Sequence, residues 1–132
     1  MKHPNIDKDS HANIRLQKAK ETLEEAKGCS ELGFWHTAAN RLYYASFYAS
    51  GALLIKNGIN AYTHTGVINQ LGLHFVSKGI ISVEQGKLCK YLFELRQSGD
   101  YDDWIYINEE DVIPYLEPTK QFIETIEKLI NN

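Results

Sequence analysis

The sequence predicts an all-α protein, an antiparallel four-helix-type bundle with one additional short helix. Three observations carry that expectation. The stretch Leu32–Lys56 (LGFWHTAANRLYYASFYASGALLIK) has no proline and spaces Ala38, Leu42, Ala45, Ala49 and Ala52 by fours and threes, the stripe of a long helix. A second stripe on the same stretch, Tyr43, Phe47, Ser50 and Leu54, demands neighbours on more than one side. Short breaks, each rich in Gly, Ser or Asn, divide the rest of the chain into segments with stripes of their own.

In chain order, residues 1–9 are polar, contain Pro4 and are expected to fray. Asp9 or Ser10 can cap the first helix, whose line is Ala12, Leu16, Ala19, Leu23 and Ala26, with Gly28 as its stop. Its glutamates and lysines face solvent. Ser30 and Glu31 open the long central helix, and so short a break makes the two helices antiparallel neighbours. Asn57-Gly58 ends the central helix. A connector from Ile59 to Gly66 leads to a short third helix, with Thr65 as its cap and Val67, Leu71 and Phe75 on its buried side, broadened by Leu73 or Val76. Ser77-Lys78-Gly79 breaks it. Ser82 with Gln85 forms the capping-box pattern of a fourth helix, apolar along Leu88, Tyr91, Leu92 and Leu95, which should give out near Ser98-Gly99.

The next segment, GDYDDWIYIN, alternates aspartates with aromatic residues and carries no helical stripe. Asn108 with Asp111 starts the last helix, through Ile113, Leu116, Ile123, Ile126 and Ile130, and Pro114 and Pro118 predict a kink or split near Glu117. The first, second, fourth and fifth helices form the bundle and the third is a cross-piece.

Composition bounds the chemistry. At 132 residues, one domain spanning 1–132 can bury a core without staples. The net charge of -3 and a pI near 5.9 lack the basic footprint of a duplex-DNA binder but leave local contact with RNA or a nucleotide open. Two cysteines, Cys29 and Cys89, are too few for a disulfide framework and read as free thiols in a reducing cytoplasm. The uncharged run Leu42–Ile55 is shorter than the roughly 20 residues a membrane span needs. His3, His11, His36, His64 and His74 show no metal-ligand spacing, and neither cysteine has a CxxC partner. Asp100, Asp102 and Asp103 lack the glycine and distal glutamate of a calcium loop. No phosphate-binding glycine loop or nucleophile elbow is present, so neither a cofactor nor a metal is expected.

Three blocks carry a resemblance. Asn-Arg-Leu-Tyr-Tyr-Ala-Ser-Phe-Tyr-Ala (Asn40 to Ala49), Thr-His-Thr-Gly-Val (Thr63 to Val67) and Phe-Glu-Leu-Arg-Gln-Ser-Gly-Asp-Tyr-Asp-Asp (Phe93 to Asp103) resemble, in order, the HEPN (higher eukaryotes and prokaryotes nucleotide-binding) superfamily. The likeness is to its small prokaryotic, uncharacterised branch and runs from about Ser10 to Ile130. It implies an antiparallel helical bundle that often dimerises. It also implies frequent pairing with a minimal nucleotidyltransferase in a toxin–antitoxin-like system, and for many members metal-independent ribonuclease activity.

That activity uses an arginine and, after it, a histidine, with four to six residues between them. The ribose 2′-hydroxyl is the nucleophile, so a group of near-neutral pKa must move the proton and a cation must hold the charge of the phosphorane. This chain departs from the pattern. Arg41 is followed at those distances by Ser46, Phe47 and Tyr48, and Arg96 by Tyr101, Asp102 and Asp103. Two sites are therefore expected to matter. Arg96, with Asp100 and Tyr101 at the mouth of the loop after the fourth helix, could grip a phosphate while Tyr101 or Trp104 stacks on a base. Arg96 and Tyr101 are thus the catalytic candidates; in the alternative, Arg96 pairs with Asp100 or Asp103 and pins the loop. Arg41, Tyr44, Tyr48 and His64 would floor the same cleft, unless Arg41 is a buried structural arginine satisfied by tyrosine hydroxyls and a carboxylate such as Glu94. Phe34, Trp35 and the remaining tyrosines are assigned to core and interface. The competing function is a non-catalytic helical module that binds or positions a partner.

Overall fold

The computed structural model describes residues 7–131. It consists of α1 (Lys8–Glu31), α2 (Trp35–Lys56), α3 (His64–Leu71), α4 (Val83–Tyr101), α5 (Glu109–Val112) and α6 (Leu116–Ile130). Among the described residues there is no strand. The all-α bundle expected from the stripes is what forms. α2 is its axis, packed against α1, α4 and α6, and α3 packs on α2 and α4. Its alanine stripe explains why: Ala38, Leu42, Ala45, Ala49 and Ala52 are all fully buried, and their small side chains let the flanking helices approach. The matching line on α1, Ala12 to Ala26, is buried against it.

Several boundaries differ from those expected. Asp7, not Asp9 or Ser10, caps α1, its carboxylate accepting from Ser10 N–H at 2.7 Å. The expected fraying of 1–9 therefore fails at Lys8 and Asp9, which are helical; residues 1–6 lie outside the described residues. Gly28 does not stop α1, because it sits in open space with ordinary helical geometry; the chain turns instead at Gly33, whose φ of 75° only glycine adopts cheaply. Thr63 rather than Thr65 caps α3, accepting from Gly66 N–H at 2.9 Å, so His64 stands in the helix's first turn. After Leu71 the helix continues as a π-helical turn, Gly72–Val76, in which Phe75 is buried and Leu73 is exposed.

α4 runs through Ser98-Gly99 to Tyr101, so Asp100 and Tyr101 belong to its last turn and not to a loop. Gly99 is there for packing: a Cβ on it would collide with Ile107 Cδ1. Asn108 N–H donates to the Asp111 carboxylate at 2.9 Å and opens α5. The proline-induced split falls slightly earlier than expected, in a 3-10 turn at Ile113–Tyr115 that places Pro114 where its missing N–H costs nothing. Phe122, Ile123, Ile126 and Ile130 then close the core from α6.

Candidate functional site

The site is built where α2, the start of α3 and the end of α4 meet. Tyr43 and Tyr44 are consecutive on α2, so they point about 100° apart, one inward and one toward the rim. Tyr43 is buried and Tyr44 half-buried, with rings edge-on at 5.1 Å. Capping by Thr63 aims His64 at this pair. Its Nδ1 lies 2.5 Å from the Tyr43 hydroxyl, and its ring packs 4.8 Å from Phe47 and 5.9 Å from Tyr44.

Arg96 arrives from α4 onto the same rings. Its guanidinium carbon stands 5.7 Å from the Tyr43 ring, 5.5 Å from Tyr44 and 5.7 Å from Tyr101. Only 14% of the side chain is exposed. Nη2–H reaches the Tyr44 hydroxyl at 3.4 Å, and Nε stands 3.0 Å from Asp100 Oδ2. The Nε–H bond is not aimed at that oxygen, however, so this buried nitrogen has no hydrogen bond. Proximity to Asp100 supplies Coulomb attraction without satisfying the donor. The guanidinium is thus held largely by aromatic faces, which orient a cation without consuming its N–H groups.

The arrangement shapes the protonation of its members. Burial first, and the nearby Arg96 charge second, hold His64 below the usual histidine range, so the imidazole is neutral at pH 7. Burial pushes the Tyr43 hydroxyl well above the usual phenol range, keeping it neutral too. In the tautomer that donates Nδ1–H to Tyr43, His64 Nε2 keeps its lone pair for a proton.

The residues singled out from the sequence fall into two groups. Arg96, Asp100, Tyr101, Tyr44 and His64 come together as described. Tyr101 is 73% exposed, its ring forming the outer wall. Arg41 joins only through Tyr44, over whose ring its guanidinium lies at 5.2 Å. Its partners are Asn40 Oδ1, at 2.8 and 3.1 Å, and Glu25 at 3.4 Å, and not tyrosine hydroxyls or Glu94. The hollow beside Arg41, about 610 Å3, is also lined by Glu25 and Glu31, a poor setting for an anion. Tyr48 lies one turn further along α2, its ring 5.9 Å from that of Tyr44, and carries Arg15 and Lys18. Trp104 and Tyr106 stand in solvent on the loop between α4 and α5, and Phe34 and Tyr62 are exposed as well, so of the tyrosines left to the core Tyr43 is the one deeply buried. Among the described residues no three His, Cys, Asp or Glu side chains are placed to hold a metal.

Tyr43 is the member that sequence reasoning missed. Its place on the Phe47–Leu54 stripe marks it as core, and nothing local signals that a histidine from beyond the connector would meet its hydroxyl.

A UPF0332 protein of Thermotoga maritima is 36% identical over 116 residues, covering 88% of each chain. A Methanocaldococcus jannaschii protein named "Putative toxin MJ0605" is 31% identical over 127 residues, 95% of this chain and 94% of that one. Among solved structures, TT1696 from Thermus thermophilus superposes with a TM-score of 0.76 at 18% identity, covering 89% of this chain and 97% of that one. A Thermotoga maritima HEPN domain protein does so with a TM-score of 0.54 at 22% identity, covering 89% and 92%; both share the fold. The family model for the HEPN domain matches residues 12–129, which takes in all but the first turn of α1 and the last residue of α6: the chain belongs to the HEPN family.

Proposed function

We propose that this chain is an RNA-directed HEPN protein, the toxin-like member of a pair completed by a minimal nucleotidyltransferase, acting as a homodimer in the cytoplasm. The observation that carries the RNA-directed reading is the meeting of a neutral imidazole, His64, with an incompletely hydrogen-bonded guanidinium, Arg96, on one pair of tyrosines. The toxin names of the Methanocaldococcus jannaschii relatives support the paired system. That no helix among the described residues is long and apolar enough to cross a membrane is compatible with the location.

The chemistry is metal-independent phosphodiester cleavage. His64 Nε2 removes the proton of a ribose 2′-hydroxyl, whose oxygen attacks the adjacent phosphorus. Arg96 faces the phosphorane oxygens, where its charge stabilises the developing negative charge. The 5′-oxygen leaves with a proton from solvent, and a 2′,3′-cyclic phosphate remains. Tyr101 offers an exposed face on which a flanking base stacks. In this scheme a histidine from the start of α3 does what the family's motif assigns to one separated from the arginine by four to six residues.

A second reading, a binding module without catalysis, is favoured by one observation: Asp100 stands 3.0 Å from Arg96 and occupies one edge of the guanidinium. Single-turnover cleavage of end-labelled single-stranded RNA in the presence of chelator separates the two. Arg96→Ala and His64→Ala should each slow cleavage by about 10²-fold or more. RNA that stays intact with the wild-type protein removes the enzyme and leaves the module.

A further inference from the structure

One long face of the central helix is only half covered, and its occupants are not those of a core. Arg41, Tyr44, Tyr48, Gly51 and Ile55 recur at steps of three and four along α2, and all are half-buried where the alanine stripe behind them is fully buried. The face lies between α1 and α4, and each contributes cations to it. Arg96 stands over Tyr44 from the α4 side, while from α1 Arg15 and Lys18 stand over Tyr48 at 5.7 and 5.0 Å. Among the described residues neither Arg15 nor Lys18 has a carboxylate within ion-pair distance, unlike Lys20, Lys27 and Lys56. These two cations are therefore held by ring faces with their N–H groups unspent on carboxylates.

The face ends in a hollow. Between α1, α2 and the connector lies a cavity of about 130 Å3, with Arg15, Phe47, Gly51, Ile55, Asn60 and Tyr62 among its walls. It is too small for a whole drug-sized ligand, whose sites run about 300–1,000 Å3, and suits one planar ring with a phosphate outside it. Gly51 makes the opening: a Cβ there would meet no atom within 4 Å. Phe47, in the hollow's wall, is also the ring on which His64 packs, so the hollow and the Arg96–His64 site share a side chain.

Cations seated on aromatic faces along a groove, with a planar slot at one end, are the elements of a single-strand nucleic-acid track. We infer that single-stranded RNA lies along this face of α2, with phosphates on Arg96, Lys18 and Arg15 and a base in the hollow beneath Tyr62. Arg41, already shared with Asn40 and Glu25, contributes less. A duplex is excluded by shape: its bases are stacked inward and cannot enter the slot, and the chain as a whole is acidic. The track spans roughly four nucleotides, at the short end of single-strand site sizes. This inference rests on the RNA-directed reading of the Arg96–His64 site, and it assigns Arg15, Lys18 and Gly51 a role outside the chemistry.

The test separates binding from cleavage. The probe is a fluorescein-labelled, 2′-O-methylated single strand of about eight nucleotides, which lacks the 2′-hydroxyl nucleophile and cannot be cut. Its affinity is read by anisotropy across a salt series, with the melting temperature of each variant confirming the fold. Arg15→Ala combined with Lys18→Ala should weaken binding at least tenfold and flatten the log–log salt slope by about 1.4, the loss of two single-strand phosphate contacts. Gly51→Leu, which removes no charge, should weaken binding at least fivefold by filling the hollow. Lys128→Ala, on the exposed side of α6, should change neither. Unchanged affinity in the double variant and in Gly51→Leu overturns the inference, as does a duplex probe bound as tightly as the single strand. It is equally overturned if Gly51→Leu dissociates a dimer while oligonucleotide binding persists, which would make the face a contact between copies. Cleavage of unmethylated RNA is scored separately: a track that binds without cleavage sinks the ribonuclease and spares the track, and cleavage indifferent to Arg15, Lys18 and Gly51 does the reverse.

Discussion

Gly99 sets the position of the last turn of α4, and with it Asp100 and Tyr101. Replacing an ordinary helical glycine by alanine stabilises a helix by about 0.5–1 kcal/mol. Gly28 in α1 is such a position, since a methyl added there would have no atom within 4 Å, so Gly28→Ala should gain about that much. Gly99 has equally ordinary backbone geometry, but its methyl would run into Ile107 Cδ1 and stand 3.4 Å from His36 Nδ1. Ile107 is buried, so its tip has little room to retreat. Overpacking of this kind costs about 1–3 kcal/mol. The propensity gain recovers part of that, leaving Gly99→Ala about 0.5–2 kcal/mol less stable than wild type. Ile107→Val deletes the colliding atom at a cost of about 0.5–1.5 kcal/mol. The double variant should then fall short of the summed losses, with a coupling of about 1 kcal/mol. Urea denaturation of the four proteins measures this directly, and thermal melts should move by about 3–5 °C per kcal/mol for a chain of this length. If Gly99→Ala stabilises as much as Gly28→Ala, or if the cycle with Ile107→Val is additive, Ile107 is not wedged against α4 and packing does not set the end of that helix.

Other outcomes follow from the same geometry. His64 should titrate below 6.5 in an NMR pH series, and Arg96→Met, which removes the second cause of the shift, should move its midpoint back up; titration above 6.5 in the wild type would refute the neutral imidazole. Because the folded-state value lies below the unfolded one, this group's contribution to stability is complete above about pH 6.5 and is lost as pH falls through the window beneath it, which pH-dependent urea midpoints would reveal. Burial pushes the Cys89 thiol up to about 12, so a charged thiol reagent should label half-buried Cys29 in the native protein while Cys89 reacts only on unfolding; prompt double labelling would contradict this. Asp100→Asn should cost no more than about 1 kcal/mol, since the pair is partly exposed and imperfectly aligned, and should raise RNA affinity several-fold by uncovering Arg96. A large loss of stability with no gain in binding would instead make Asp100 a pin for the end of α4.

Much of the fold is legible because it is written in near-neighbour patterns. The line Ala12 to Ala26 and the stripe Ala38 to Ala52 identify the buried faces of α1 and α2 from spacing alone, and both are buried. The Ser82–Gln85 start of α4 needs only residues within one turn, and Ser82 does accept from Gln85 N–H at 3.1 Å. The boundaries that differ are those decided by distant atoms. Gly28 and Gly99 both read as helix stops, yet one is tolerated because α1 leaves it in open space and the other is required because Ile107 packs on it. No window of sequence around a glycine distinguishes a stop from a tolerated or packed position, because the deciding neighbour comes from elsewhere in the fold.

The same distinction explains what is and is not visible at the site. Arg96, Asp100 and Tyr101 lie within two turns of one helix, so their proximity follows from helical phase: Arg96 and Asp100 are four apart on one face, and Tyr101 is about 100° from Asp100. His64 stands out in the sequence as part of a block, but its distance from Arg96 along the chain hides the encounter. What brings it in is a sum of modest choices, namely Thr63 capping α3, Gly66 letting the chain pass close to that cap, and Tyr43 offering a hydroxyl on the inward side of α2. A histidine placed on α4 itself would be oriented by one helix. This one depends on the docking of α3 against α2, so any substitution that loosens that packing, such as Val67→Ala or Leu71→Ala, should misplace the imidazole before it unfolds the bundle. Loss of cleavage with RNA binding retained would mark the imidazole as the group that moves protons, whereas loss of both together would place His64 among the groups that hold the strand.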